Sequence, residues 1–177
     1  MKNICLVITL LLLTSCLSKP EGIEPVQKFR LNKYLGTWYE IARLDHAFER
    51  GLEQVSARYR LRSDGGIDVI NRGFDKDDHA WNEAKGRAYF VDQNDVGHLR
   101  VSFFRPFYSS YIIFNLDDAN YQYAFVSGYN KNYLWLLART PQVSSALKQK
   151  FILEAKAKGY NVDELIWVQQ SSSLKAD

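Results

Sequence analysis

"YLGTWYEIAR", Tyr34–Arg43, is the stretch on which the fold turns. After Gly36 it runs through Thr, Trp, Tyr and Ile, residues that favour an extended backbone, and it alternates in the way a strand of period two requires. With Trp38 pointing into a protein interior, that period turns Glu40 and Ala42 the same way.

Working outward, runs of the same character recur: "TWYEIARL", "VSARYRLR", "GIDVINRGF", "AKGRAYFV", "HLRVSFF", "YIIFNL", "YQYAFVSG" and "YLWLLAR". Turn signals separate them at Asp64-Gly65-Gly66, Asp92–Asp95, Asp117–Asn120 and Asn130–Asn132. Asp-Gly-Gly between alternating strands is the strongest hairpin signal. Eight short strands joined by tight turns predict an all-β, antiparallel up-and-down meander, which removes its exposed edges most simply by closing into a barrel. One segment departs from this pattern. "SSALKQKFILEAKAKGYN" spaces Leu147, Phe151 and Ala155 at helical intervals, with Ser144 or Ser145 as N-cap and Gly159 as the stop. It reads as a C-terminal helix packed outside the barrel by one apolar stripe, followed by a short strand at Leu165–Val168 and a flexible tail over 171–177.

The N-terminus carries an export address. The apolar run Ile4–Leu13 is about half the ~20 residues a membrane-spanning helix needs, and it follows a positive start at Lys2. It ends in "LTSC", Leu13–Cys16, which resembles the bacterial lipobox. That resemblance implies removal of residues 1–15 and acylation of Cys16, with stable membrane attachment through several chains. Leu17, rather than Asp, follows the anchor; by resemblance to enterobacterial lipoproteins this implies the outer membrane, facing the periplasm. Residues 16–27, with Pro20, Gly22 and Pro25, read as a tether, and 28–170 as the barrel domain. The other cysteine, Cys5, falls in the removed segment, so the domain has no internal disulfide. Packing must stabilise it, and 14% aromatic residues supply the surface. Formal charge is +3, about +2 without Lys2, and the basic residues are scattered, which argues against nucleic acid.

Gly36-Thr37-Trp38 resembles the first-strand signature of lipocalins, and "NKNYLWLLARTP" resembles their later motifs through Tyr133 and Arg139. The resemblance covers 28–170 and is most detailed to bacterial outer-membrane members of the family. It implies Gly36, Trp38, Tyr133 and Arg139 as structural signature residues, a hollow barrel, no cofactor, and fatty acids or lysophospholipids as ligands. Asn132 stands where the family's middle motif usually has an acid. Physically, Trp38 can plug one end, with the Arg139 guanidinium over its ring and donating to nearby carbonyls.

Parity then assigns a lining. Val55, Ala57 and Tyr59; Val69 and Asn71; Ala88 and Phe90; Leu99, Val101 and Phe103; Tyr111 and Ile113; and Tyr133, Trp135 and Leu137 face in. Of these, Ala57, Tyr59, Asn71, Ala88, Phe90, Val101, Phe103, Tyr111, Ile113 and Trp135 are the candidate ligand-binding residues. Their partners in alternation, Arg58, Arg60, Arg87, Arg100 and Ser102, face water. Periodicity alone fits a solid core as well as a hollow one; Ala57 and Ala88 leave space. "LDHAFERGLEQ", Leu44–Gln54, would lie at the open end, where Arg50 could meet a phosphate or carboxylate. Phe104, Phe107 and Tyr108 around Pro106 offer a partner or homodimer surface, or a cover for the mouth.

Enzymatic readings find little support. His46, His79 and His98 fall in or beside loops, and neither a G-x-S-x-G elbow nor H-E-x-x-H is present. Asp75–His79 resembles a calcium loop only superficially, because Ala80 and Gly86 occupy positions that need Gly and Glu. No metal is expected. The alternatives to a lipid-binding protein are an envelope scaffold with a filled barrel and a lipid-modifying enzyme.

Overall fold

The computed structural model describes residues 18–170. Cys16, the preceding segment 1–15 and the tail 171–177 lie outside them. Eight antiparallel strands follow in order: β1 (Gly36–Arg43), β2 (Leu52–Leu61), β3 (Ile67–Asp75), β4 (Ala80–Phe90), β5 (His98–Phe104), β6 (Phe107–Leu116), β7 (Tyr123–Ser127) and β8 (Leu134–Ala138). Each pairs with its successor, and β1 pairs with both β8 and β2, which closes the barrel. A two-residue β9 (Ile166–Trp167) adds to β1 from outside. The hairpin at Asp64 forms as its sequence suggests: Gly65 takes a φ of +79° and the Asp64 carboxylate accepts the Gly66 N–H at 3.0 Å.

The helix is present as α2 (Ser145–Ala157). Ser144 caps it by accepting the Leu147 N–H, and Gly159, at φ +79°, follows its end. Phe151 and Ala155 are wholly buried against the outward faces of β1 and β6–β8, together with Tyr39, Ile41, Phe114, Phe125, Leu134 and Leu136. A second core, inside the barrel, gathers Trp38, Tyr59, Val69, Ala88, Leu99, Ile113, Val126 and Leu137. The sheet is thus apolar on both faces wherever α2 covers it, and alternates apolar with polar elsewhere.

A short helix α1 (Leu31–Tyr34) crosses one end and closes it. The chain reaching it is not a free tether. Ile23 is fully buried, Pro20 is buried, Val26 N–H donates to Ile113 O at 2.8 Å, and Gln27 bridges to Val96. Residues 20–27, expected as linker, make contacts with both cores: Ile23 packs in the outer one and Val26 against the inner one.

A second correction concerns β1. Glu40 lies opposite Leu137 but Ala42 opposite Leu136, so Ile41 is an extra residue, a β-bulge. Beyond it the faces exchange. Ala42, expected inside, packs in the outer core, and Arg43 turns inward.

Candidate functional site

The barrel interior divides into a floor and a mouth. At the floor, Trp38 is fully buried, and its indole N–H donates to Tyr34 O at 2.8 Å. The Arg139 guanidinium lies 3.9 Å from the centre of the Trp38 ring. Its nitrogens donate to four carbonyls: Thr37 (2.8 Å), Lys33 (2.6 Å), Leu35 (3.0 Å) and Tyr121 (3.3 Å). Gly36 has φ +98°, and a Cβ there would sit 3.4 Å from Arg139 Nη1, so the backbone bend and the guanidinium share one small space. Above the plug, three phenols form a chain. The Tyr111 hydroxyl is 2.7 Å from that of Tyr34 and 2.8 Å from that of Tyr59. Burial pushes all three phenols above their ordinary pKa, so they stay neutral donors and acceptors.

Of the candidate lining residues, Tyr59, Ala88 and Ile113 are buried in this packed floor, and Phe90 stacks edge-on to Phe29 at the closed end. Ala57, Asn71, Val101, Phe103, Tyr111 and Trp135 remain only half-buried although they face inward. Ala84, which shares the inward row of β4 through its pairing with Asn71, is exposed. Gly86 is next on that row, and the Phe103 ring lies where its Cβ would be. Access therefore rises from floor to mouth, along a wall that is mostly apolar.

The mouth holds a cluster of buried charges. Glu40 and Arg43 are 3% and 2% exposed, and Glu49 and His46, from the β1–β2 loop, are nearly as enclosed. Arg43 donates to Glu40 Oε1 (2.7 Å), Glu49 O (2.7 Å) and Leu52 O (3.1 Å), which ties the loop to the barrel. The Trp135 indole donates to the Glu49 carboxylate at 3.1 Å, and His46 Nε2 stands 3.1 Å from the same oxygen. The His46 ring packs on Trp135 and Tyr133, at 5.2 and 5.5 Å between centres. Burial, reinforced by the nearby Glu49 charge, holds the Glu40 carboxyl well above the usual range despite Arg43. Burial also pushes Glu49 upward, but His46, Trp135 and Glu40 outweigh it and its carboxyl lies below the usual range. Arg43 Nε, His46 Nδ1 and Asn71 Oδ1 are buried without a hydrogen-bond partner, so a donor, a ring nitrogen and an acceptor stay unmatched in this part of the barrel.

Sequence reading missed most of this cluster. The bulge hid Arg43, and a loop has no period by which to place His46 and Glu49. Arg50, the loop cation expected to meet an anion, is exposed and engaged with Asp45 at 2.8 Å. Among the described residues no group of three His, Cys, Asp or Glu side chains converges as metal ligands. The Asp75 carboxylate instead accepts the N–H groups of Asp77 and Asp78 within its own turn.

The plug, the closure of eight strands and the outer helix together decide the family. Residues 29–170 match the lipocalin-like domain family. The chain is a lipocalin. It is 55% identical over 170 residues to the outer membrane lipoprotein Blc of Vibrio cholerae, covering 96% of this chain and 99% of that one. With the Blc protein of Escherichia coli K12 it shares 48% over 154 residues, 87% of this chain and 86% of the other. In fold it is similar to insecticyanin from the tobacco hornworm, with a TM-score of 0.69, 16% identity and 88% of each chain covered. This lipocalin is accordingly a lipid-anchored protein of the outer membrane, and a binder of small hydrophobic molecules rather than an enzyme.

Proposed function

We propose that this lipocalin takes up single-chain membrane amphiphiles, fatty acids or lysophospholipids, and stores or transports them for envelope maintenance. The acyl chain lies in the open half of the barrel along Ala57, Asn71, Val101, Phe103, Tyr111 and Trp135. Tyr59, Ala88, Phe90 and Ile113 form the floor and end wall that limit its depth. The head group lies at the mouth, where Arg43 Nε and His46 Nδ1 have no hydrogen-bond partner. Cys16 carries the acyl anchor and the domain faces the periplasm.

The observation that carries this reading is the gradient along the inward rows. Residues of one parity pass from fully buried at Ile113 and Ala88 to exposed at Ala84, while the wall between them stays largely apolar. A filled barrel would bury them all.

Native mass spectrometry of residues 17–177, purified without detergent and titrated with lysophospholipid and with fatty acid, tests it. A one-to-one adduct is expected. Ala84→Trp should weaken it, since the exposed site admits the ring without disturbing the core. A chain that takes neither lipid would be a filled scaffold.

A further inference from the structure

We propose that the barrel docks mouth-edge first onto an anionic bilayer through the β5–β6 turn and the basic outer wall beside it. Phe104 and Phe107 flank Arg105-Pro106 in that turn and are 73% and 76% exposed. Strand direction puts this turn at the open end, with the β1–β2 loop, whose Phe48 is 70% exposed. Three bare phenyl rings on one rim are costly in water and suited to the head-group boundary of a membrane.

Arg105 joins the turn to a groove of about 510 Å³ on the outer face of the β2–β5 wall, lined also by Arg60, Lys85 and Arg87. Asp68, the acid lining it, is engaged by Arg62 at 2.8 Å, and Lys85 is 3.2 Å from Glu83. Arg60, Arg87 and Arg105 take part in no ion pair among the described residues. Ser102, expected in water, is instead buried in the same groove, and its hydroxyl has no hydrogen-bond partner. Three guanidinium groups that make no ion pair, around one acid already held by Arg62, match phosphate-bearing head groups.

Charge selects a bilayer over a second copy of the chain. A two-fold pairing on this surface would bring Arg87 and Arg105 against their own counterparts. Asp77 and Asp78, at the exposed tip between β3 and β4, repel an anionic surface and tilt the footprint toward β5–β6. The leash agrees. Pro20, already buried in the fold, is four residues beyond Cys16. At ~3.6 Å per residue the anchor keeps the barrel within about 14 Å of the leaflet. Docking does not depend on the ligand reading, but it would give such a ligand a route from leaflet to mouth without crossing water.

The test is flotation of residues 17–177, which contain the whole closed barrel, with phosphatidylcholine vesicles with and without phosphatidylglycerol. Binding is expected only to the anionic vesicles, weakening with salt. The pairs Phe104→Ser with Phe107→Ser, and Arg87→Ser with Arg105→Ser, should each lower partitioning about tenfold. A Phe104→Trp reporter should shift its emission to the blue on the same vesicles. Equal recovery of the wild type and both pairs, with no blue shift, overturns the proposal. So does a dimer mass that the Phe pair abolishes, which would assign the surface to a second copy. The lysolipid adduct, measured separately, distinguishes failure of docking from failure of the carrier reading.

Discussion

The floor and the mouth of this barrel are built from the same eight strands, yet they treat polar groups in opposite ways. At the floor every donor of consequence is engaged: Arg139 reaches four carbonyls and the three tyrosine hydroxyls satisfy one another. At the mouth, groups just as buried leave Arg43 Nε and His46 Nδ1 without a partner. Satisfied polar groups make a rigid stop, whereas incompletely satisfied ones make a surface that gains by receiving something. One end of the barrel is therefore fully satisfied and the other carries an unmet polar demand.

The largest break in that comparison should come from the floor. Trp38→Ala removes the plug and the platform under Arg139, and is expected to cost about 4 kcal/mol, read as a lowered denaturant midpoint. Arg43→Met attacks the mouth. It leaves Glu40 and Glu49 facing each other without their cation and frees the β1–β2 loop; a loss of about 3 kcal/mol at neutral pH is expected, shrinking as the pH falls toward 4. Tyr111→Phe removes the middle link of the phenol chain at nearly constant volume. It should cost about 1–2 kcal/mol and leave the lipid adduct in place.

Glu40→Gln sharpens the comparison through pH. A carboxyl whose pKa is raised by folding binds its proton more tightly folded than unfolded, so between those two values stability falls as the pH rises. Gln cannot ionise and can still accept from Arg43. The variant should match the wild type near pH 4 and melt above it near pH 8, as thermal unfolding across that range would show. The smallest effect belongs to Arg50→Ala. Its partner Asp45 is exposed, and neither melting nor lipid binding should change.

How much of this was legible in the sequence follows the same division. Strands declare themselves through alternation, so all eight were found, as was the helix, whose cap the sequence left between Ser144 and Ser145 and the structure places at Ser144. Trp38 and Arg139 were legible because a family signature marks them. The interior of the lower barrel obeys simple parity, and Tyr59, Ala88 and Ile113 lie where alternation puts them. Tyr34 escaped because it stands in α1, before the strand begins. At the mouth, the extra residue at Ile41 carries no signature of its own; once it intervenes, counting by twos gives Ala42 where the protein has Arg43. His46 and Glu49 depend on how a loop folds back, which alternation does not encode.

That one extra residue also has a meaning for descent. The Ile41 carbonyl, displaced from the β8 ladder, accepts the Val168 N–H at 3.0 Å, so the C-terminal strand secures the bulge from outside. Straightening the strand with Ile41 retained would swing Arg43 out of the barrel and turn the Ala42 methyl inward, whereas losing Ile41 itself would remove the bulge and keep Arg43 inside. Chemistry at the entrance is thus inherited as a matter of phase. An ordinary substitution changes one side chain, whereas keeping or straightening the bulge decides whether Arg43 or Ala42 faces the opening.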